Sequence, residues 1–228
     1  MNQTPALEIT QAGVRLGKND GFTLDAPDLT LAPGDALACV GPSGSGKTTL
    51  IRLAAGLLRA DRGVVRTLGE DLRTIDDGAV RAWRVRRLGL VFQDFALLAH
   101  LTGLENILLP FVIGPGMRAG TQERDRARTL ARTLEVEHTL ARKPARMSHG
   151  ERQRIAVCRA LVTRPALLLC DEPTASLDAH RAELVLTLLE TERVEREAAI
   201  VVTTHDRTIA ERVGASGRMI DLAEASAA

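Results

Sequence analysis

Four short apolar runs punctuate the chain at residues 36–40, 88–92, 167–170 and 199–203, and none of them alternates with polar positions. A strand with one wet face alternates, whereas a strand covered on both faces does not. The four runs are therefore predicted to be strands of a buried parallel sheet. Segments of helical spacing separate them. Ala127, Leu130, Ala131 and Leu134 fall on one helical face, with Thr121 placed to cap that helix and Glu123 in its first turn. Leu184, Val185, Leu188 and Leu189 form a second one-sided stripe. Strands alternating with helices predict an α/β domain with a largely parallel sheet.

The first 35 residues follow another rule. Residues 7–10 and 22–25 alternate, with turn signals from Gly17 to Gly21 and at Pro33-Gly34-Asp35. They are predicted to form short antiparallel strands. Residues from about 95 to 165 carry helical patterns and no clear strand, which predicts a helical subdomain inserted in the core. No linker and no internal repeat divides the chain, so residues 1–228 are expected to form one domain, with residues 223–228 frayed.

Composition narrows the classes. With 228 residues, 45% apolar and 26% charged, the chain is an ordinary globular protein that needs no disulfide to fold. Thirty Lys and Arg balance 29 Asp and Glu for a formal charge of +1, so no nucleic-acid partner is expected. The longest strongly apolar stretches, such as residues 107–114, are too short to span a bilayer. Residues 1–5 have neither a basic nor an apolar leader segment. Cys39, Cys158 and Cys170 are widely spaced and form no metal or redox motif, so they read as reduced, buried thiols in a cytoplasmic protein. Arg81, Arg84, Arg86 and Arg87 with Trp83 read as a solvated face.

The first chemical motif is Gly41-Pro42-Ser43-Gly44-Ser45-Gly46-Lys47-Thr48, between an apolar strand and a helical pattern. It fits the G-x-x-x-x-G-K-[ST] phosphate loop at every fixed position. Glycines let backbone amides approach phosphate oxygens, and the following helix adds its positive end. Lys47 brings charge to the β and γ phosphates, and the Thr48 hydroxyl can ligate Mg2+. Asp171 follows the third apolar run, where such a site needs a second metal ligand. Glu172 follows it and is positioned to activate water as a general base.

Many phosphate-loop folds share those features. Met147-Ser148-His149-Gly150-Glu151-Arg152-Gln153-Arg154, about twenty residues before Asp171, is more specific. It resembles the signature motif of ATP-binding-cassette (ABC) ATPases. Gln93 after a strand, Ser176-Leu177-Asp178, and His205 after Thr203-Thr204 extend the resemblance, in family order, along nearly the whole chain. It implies the ABC ATPase fold: a P-loop core, an antiparallel N-terminal β subdomain and an inserted helical subdomain. It also implies ATP hydrolysis with Mg2+. Gly41, Pro42, Ser43, Gly44, Ser45, Gly46, Lys47, Thr48 and Thr49 would bind nucleotide. Thr48, Gln93 and Asp171 would hold the metal, and Glu172, Gln93 and His205 would serve catalysis. Ser148 caps its helix, and its hydroxyl, the Gly150 amide and the helix dipole make a second anion site. In the family that site completes the ATP site of a second copy in a head-to-tail homodimer.

Two departures stand out. His149 occupies the usual place of the first signature glycine, and the chain has no Tyr to stack on adenine. Leu16 stands at the position of the family's aromatic, and Phe22 is the nearest aromatic substitute. The segment after Gln93, with Asn106 and Pro110, resembles the subgroup of lipoprotein-releasing and macrolide-exporting ATPases. That implies an integral membrane permease as partner and a place on the inner face of the membrane. The alternative is a soluble ABC ATPase of DNA repair or the ribosome. Those relatives usually carry long coiled-coil inserts or two cassettes, and 228 residues hold neither. A P-loop kinase needs an acceptor site and lid, and a GTPase needs an N-K-x-D motif that the chain lacks.

Overall fold

The computed structural model describes residues 3–17 and 22–225. Part of the predicted turn between Gly17 and Gly21, residues 1–2 of the opening segment and residues 226–228 of the predicted tail lie outside the described residues. In chain order the elements are β1 (Leu7–Leu16), β2 (Phe22–Asp25), β3 (Leu29–Leu31), β4 (Ala36–Val40), α1 (Lys47–Ala54), β5 (Arg62–Thr67) and β6 (Glu70–Asp71). Then come α2 (Asp77–Arg87), β7 (Leu88–Val91), α3 (Gly103–Ile113), α4 (Thr121–Thr133), two 3-10 turns (Glu137–Thr139 and Pro144–Arg146) and α5 (His149–Leu161). The chain closes with β8 (Leu167–Asp171), α6 (Ala179–Arg196), β9 (Ala199–Thr204), α7 (Arg207–Gly214), β10 (Arg218–Asp221) and α8 (Leu222–Ala225).

All four continuous apolar runs are strands, and with β10 they form a parallel sheet of order β10-β4-β9-β8-β7. Every residue of β4, β8 and β9 is buried, which is why these strands lack alternation. Successive side chains enter different cores, as the two-residue strand period requires. Leu37, Cys39, Leu167, Leu169 and Val201 join one core with Leu7, Ile9 and Ile51. Leu168, Cys170, Ile200 and Val202 join another, built with α3, α4, α5 and α6.

The N-terminal strands form a separate antiparallel sheet, β2-β1-β5-β6, with β3 also paired to β1. The predicted alternating strands are there. Strands β3, β5, β6 and β10 and helices α2 and α7 lie outside the predicted pattern, and residues 223–225, expected to be frayed, are in helix α8.

Two expectations need correction. Helix α4 is capped from Gly120, and Thr121 is its first residue. The Gly120 amide donates to Glu123 Oε2 at 2.8 Å, so the acid closes the helix end without a capping hydroxyl. The arginine cluster on α2 is only partly solvated. Arg84 turns inward and donates to the carbonyls of Ala55 and Gly56 (both 2.9 Å) just past the end of α1. Trp83 packs on the first core, and Arg86 donates to the Pro115 carbonyl. Arg81 and Arg87 remain exposed.

Candidate nucleotide site

The C-terminal ends of neighbouring parallel strands and the turns after them bring the predicted residues together. Leu16, Phe22, Ser43, Gly44, Gly46, Lys47, Thr48, Thr49, Gln93, Asp171, Glu172, Ala175 and His205 line one cleft of about 660 Å3. That volume is ordinary for a small-molecule site. Both Leu16 and Phe22 are at its wall. Ser148 and Gly150 are not part of it.

The loop after β4 is shaped by its glycines. Gly46 has φ +93° and caps α1; a Cβ there would fall 2.6 Å from Leu24 Cδ1. The buried Lys47 donates to the carbonyls of Gly41 (2.6 Å) and Pro42 (2.8 Å), so its ammonium is held against the loop. Ser45 Oγ is buried with no hydrogen-bond partner among the described residues and lies against Gly41, where an added Cβ would fall 2.6 Å from it. Gly44, with φ +84°, and Gly46 both face the cleft and leave the loop backbone uncovered beside Lys47, so the loop fits a phosphate group.

Asp171 is the last residue of β8 and is 1% exposed. Sheet register sets it opposite Thr203. Its Oδ1 accepts from Thr203 Oγ1 at 2.7 Å and its Oδ2 from Thr48 Oγ1 at 2.6 Å. The carboxylate is thus oriented on both oxygens and tied to the first turn of α1. A divalent cation fits between such a hydroxyl and carboxylate by donor chemistry, since both are hard oxygen ligands.

Glu172 leaves the strand in the left-handed region, with φ +53°. Its amide donates to the Thr203 carbonyl (2.9 Å), and its own carbonyl accepts from Gln153 Nε2 (2.8 Å). Its carboxylate lies beside His205, with Oε1 2.8 Å from Nδ1, and Oε2 accepts from Thr204 Oγ1 at 3.3 Å. The Glu172 side chain is 8% exposed and the His205 side chain 64%, so the acid is sheltered and the imidazole faces the open cleft. Asp206 caps α7 through the amides of Thr208 and Ile209, which fixes the turn carrying His205. Gln93 is exposed just past β7.

From the sequence alone, Thr203 and Thr204 are only context for His205, and Gln153 has no assigned role. A Thr at the end of an otherwise apolar strand, beside another strand ending in Asp, was the available signal.

The Ser148 turn lies elsewhere on the chain. Ser148 caps α5 as expected: its hydroxyl accepts from the Glu151 amide (3.2 Å), and Glu151 accepts from the Ser148 amide (2.6 Å). That amide, with His138 adding a smaller effect, holds the Glu151 carboxyl below the usual range. His149 Nδ1 is 2.6 Å from Ser176 Oγ, and its ring meets Phe95 edge-on at 4.6 Å. His100, His138 and His180 are exposed, as expected.

The sequence profile of the family described as "ABC transporter" matches residues 24–175. The chain belongs to the ABC transporter family. The cassette is 40% identical over 196 residues to the lipoprotein-releasing system ATP-binding protein LolD of Chromohalobacter salexigens, covering 86% of this chain and 82% of that one. It is 36% identical over 197 residues to the macrolide export ATP-binding/permease protein MacB of Syntrophobacter fumaroxidans, covering 86% of this cassette but 28% of that longer protein. Among solved structures, the dimeric cassette MJ0796 in a post-hydrolysis state with ADP and phosphate superimposes with a TM-score of 0.87. It has 30% identity and covers 94% of this chain and 93% of that one. The cassette therefore has the ABC ATPase fold and is an ATP-binding protein.

Proposed function

We propose that this cassette hydrolyses ATP to power a transporter of the lipoprotein-releasing or macrolide-exporting kind, as a homodimer seated on a separate membrane permease. The observation that carries the reading is Glu172, sheltered, held at His205 and adjacent to the Thr48–Asp171 pair. The P-loop amides, Ser45 and Lys47 would bind the β and γ phosphates. Thr48, Asp171 and Gln93 would hold Mg2+, which when bound neutralises charge on the transferring phosphoryl group. Glu172 takes a proton from water as the water oxygen bonds to the γ phosphorus. The bond to the β–γ bridging oxygen breaks, and ADP departs with that electron pair. His205 orients the carboxylate. The Ser148–Gly150 turn of the second copy closes each site, so nucleotide bridges the dimer and hydrolysis releases it.

The permease has a surface suited to it. Leu88, Leu90, Phe92, Leu109, Pro110 and Ile113, with Arg84 and Arg159 among the lining residues, surround an apolar cavity of about 210 Å3 beside the Gln93 loop. Val112 and Ile113 at the end of α3 are 77% and 58% exposed. A short cytoplasmic helix of the permease would occupy this groove, and Gln93 would report its movement to the site. Residues 1–228 act as one cassette with residues 95–165 as the helical part. It would reside on the inner face of the membrane through the permease. No helix among the described residues is long and apolar enough to cross a membrane itself.

The test uses Glu172→Gln with ATP and Mg2+. It is expected to bind ATP, to stop turnover and to accumulate as a dimer by light scattering. Turnover near the wild-type rate removes Glu172 as the base. The trapped dimer is then used to capture partners from detergent-solubilised membranes. A polytopic permease with a large periplasmic domain supports the reading; capture of soluble proteins alone by an ATP-bound dimer overturns the transport part.

A further inference from the structure

Ser176, four residues beyond Glu172, is gripped by the start of α5. Its amide donates to Gln153 Oε1 at 3.0 Å, and its hydroxyl lies 2.6 Å from His149 Nδ1. Its carbonyl sits so close to Gly150 that an added Cβ would come within 3.1 Å. The other end of the Gln153 amide donates to the Glu172 carbonyl at 2.8 Å. Gln153 is 1% exposed, so one buried side chain spans from the catalytic turn to Ser176.

The left-handed backbone of Glu172 gives that span its meaning. A non-glycine residue keeps such a conformation only where its surroundings over-determine it. Here Thr203 holds the amide and Gln153 holds the carbonyl. The direction of the carboxylate therefore depends on α5. Helix α5 reaches the Gln93 loop as well. Phe95 touches the His149 ring, and the Phe95 and Ala96 carbonyls both accept from Arg159 at 2.6 Å.

We propose that His149 and Gln153 are positioning residues that lock the signature turn to the catalytic turn of the same chain, so that closure of one ATP site of the dimer sets the carboxylate of the other. This rests on the shared-site dimer proposed above. In that dimer a chain's Ser148–Gly150 turn closes its neighbour's site, while its Glu172 serves its own. The Gln153 amide and the His149 ring are then direct mechanical links between the two sites. His149 adds a side-chain contact to Ser176 that a glycine there could not make.

The experiment uses mixed dimers isolated with two tags. One copy carries Lys47→Ala, which silences its own nucleotide site, and turnover is read from the intact copy. With Gln153 present, silencing the second site is expected to slow the intact site. Gln153→Met keeps the volume and removes both hydrogen bonds. In the intact copy it is expected to lower kcat about tenfold, the rate equivalent of one neutral hydrogen bond, with KM within twofold. It is also expected to make turnover insensitive to the neighbour's Lys47→Ala.

A purely structural role would lower Tm and leave the sensitivity to the silenced neighbour as it was; that result overturns the proposal. If Gln153→Met does not fold, His149→Gly and Ser176→Ala carry the same comparison, with partial rescue expected from His149→Asn. Unchanged sensitivity in both overturns it equally. Absence of any ATP-driven dimer in the Glu172→Gln protein refutes the shared-site reading and this coupling with it. Normal dimers without coupling refute only the latter.

Discussion

Thr48 and Asp171, 123 positions apart, meet through a 2.6 Å hydrogen bond that joins the first turn of α1 to the end of β8. The second oxygen of Asp171 is held by Thr203 from β9, so three elements fix one carboxylate. Removing an orienting partner of a metal-ligating group weakens metal affinity about 10–100-fold. Thr203→Val, which preserves shape and deletes the buried hydroxyl, is expected to raise the Mg2+ concentration needed for half-maximal turnover by about that factor. The measurement is a Mg2+ titration at saturating ATP. An unchanged midpoint would show that Thr203 has only a packing role.

The parts of this arrangement legible in the sequence are those encoded by local rules. The runs at 36–40, 88–92, 167–170 and 199–203 announced buried parallel strands because, apart from the terminal Thr203, no polar side chain stands on either face. The P-loop and Ser148 were legible because a turn and a helix cap are decided by a few consecutive residues. The missed strands are short or wet: β5 reads Arg-Gly-Val-Val-Arg-Thr with exposed Arg62 and Arg66, and β10 has no fully buried residue. Their pairing comes from β1 and β4, which no local pattern reports. Gln153 was illegible for the same reason, since its partners lie 19 and 23 positions away. Arg84 looked like part of a solvated face because its partners, the carbonyls beyond α1, carry no side-chain signal.

Asn106 shows how one buried amide can hold a loop. It is fully buried in α3, accepts from the Leu98 amide (2.8 Å), and donates to the carbonyls of Leu98, Leu101 and Thr102. Asn106→Leu strands the Leu98 amide and the Leu101 carbonyl, whereas the Leu98 and Thr102 carbonyls keep the amides of Leu101 and Asn106. The expected loss is about 2 kcal/mol, seen as a Tm lower by about 4–8 °C for a chain of this size. Calorimetry of the purified variant checks it; a Tm within 1–2 °C of wild type, on the same scale, would mean that water replaces the amide.

The cysteines offer a chemical reading of burial. Cys39, Cys158 and Cys170 are unpaired and buried, and burial pushes each thiol up to about 12. For Cys170 the neighbouring Asp171 charge adds to that rise. A raised value keeps the thiol protonated through the neutral range, and the thiolate is the reactive form. The native protein is therefore expected to resist a thiol-specific reagent at pH 8, whereas denaturant should expose three reactive groups per chain. Rapid labelling of the native state at one site would expose an error in the packing around that strand or helix.

Among the described residues, β4 is the only strand of the parallel sheet before β7 at Leu88, and its two neighbours, β9 and β10, begin at Ala199 and Arg218. During synthesis the ribosome therefore releases Ala36–Val40, the strand that launches the P-loop, long before either partner exists. The N-terminal antiparallel sheet, complete by Asp71, can form early from nearby segments. The nucleotide site cannot, because the carriers of Asp171 and His205 emerge late. Until β9 and β10 emerge, the nascent chain carries an unpaired apolar strand, a state that invites aggregation and calls for chaperone protection.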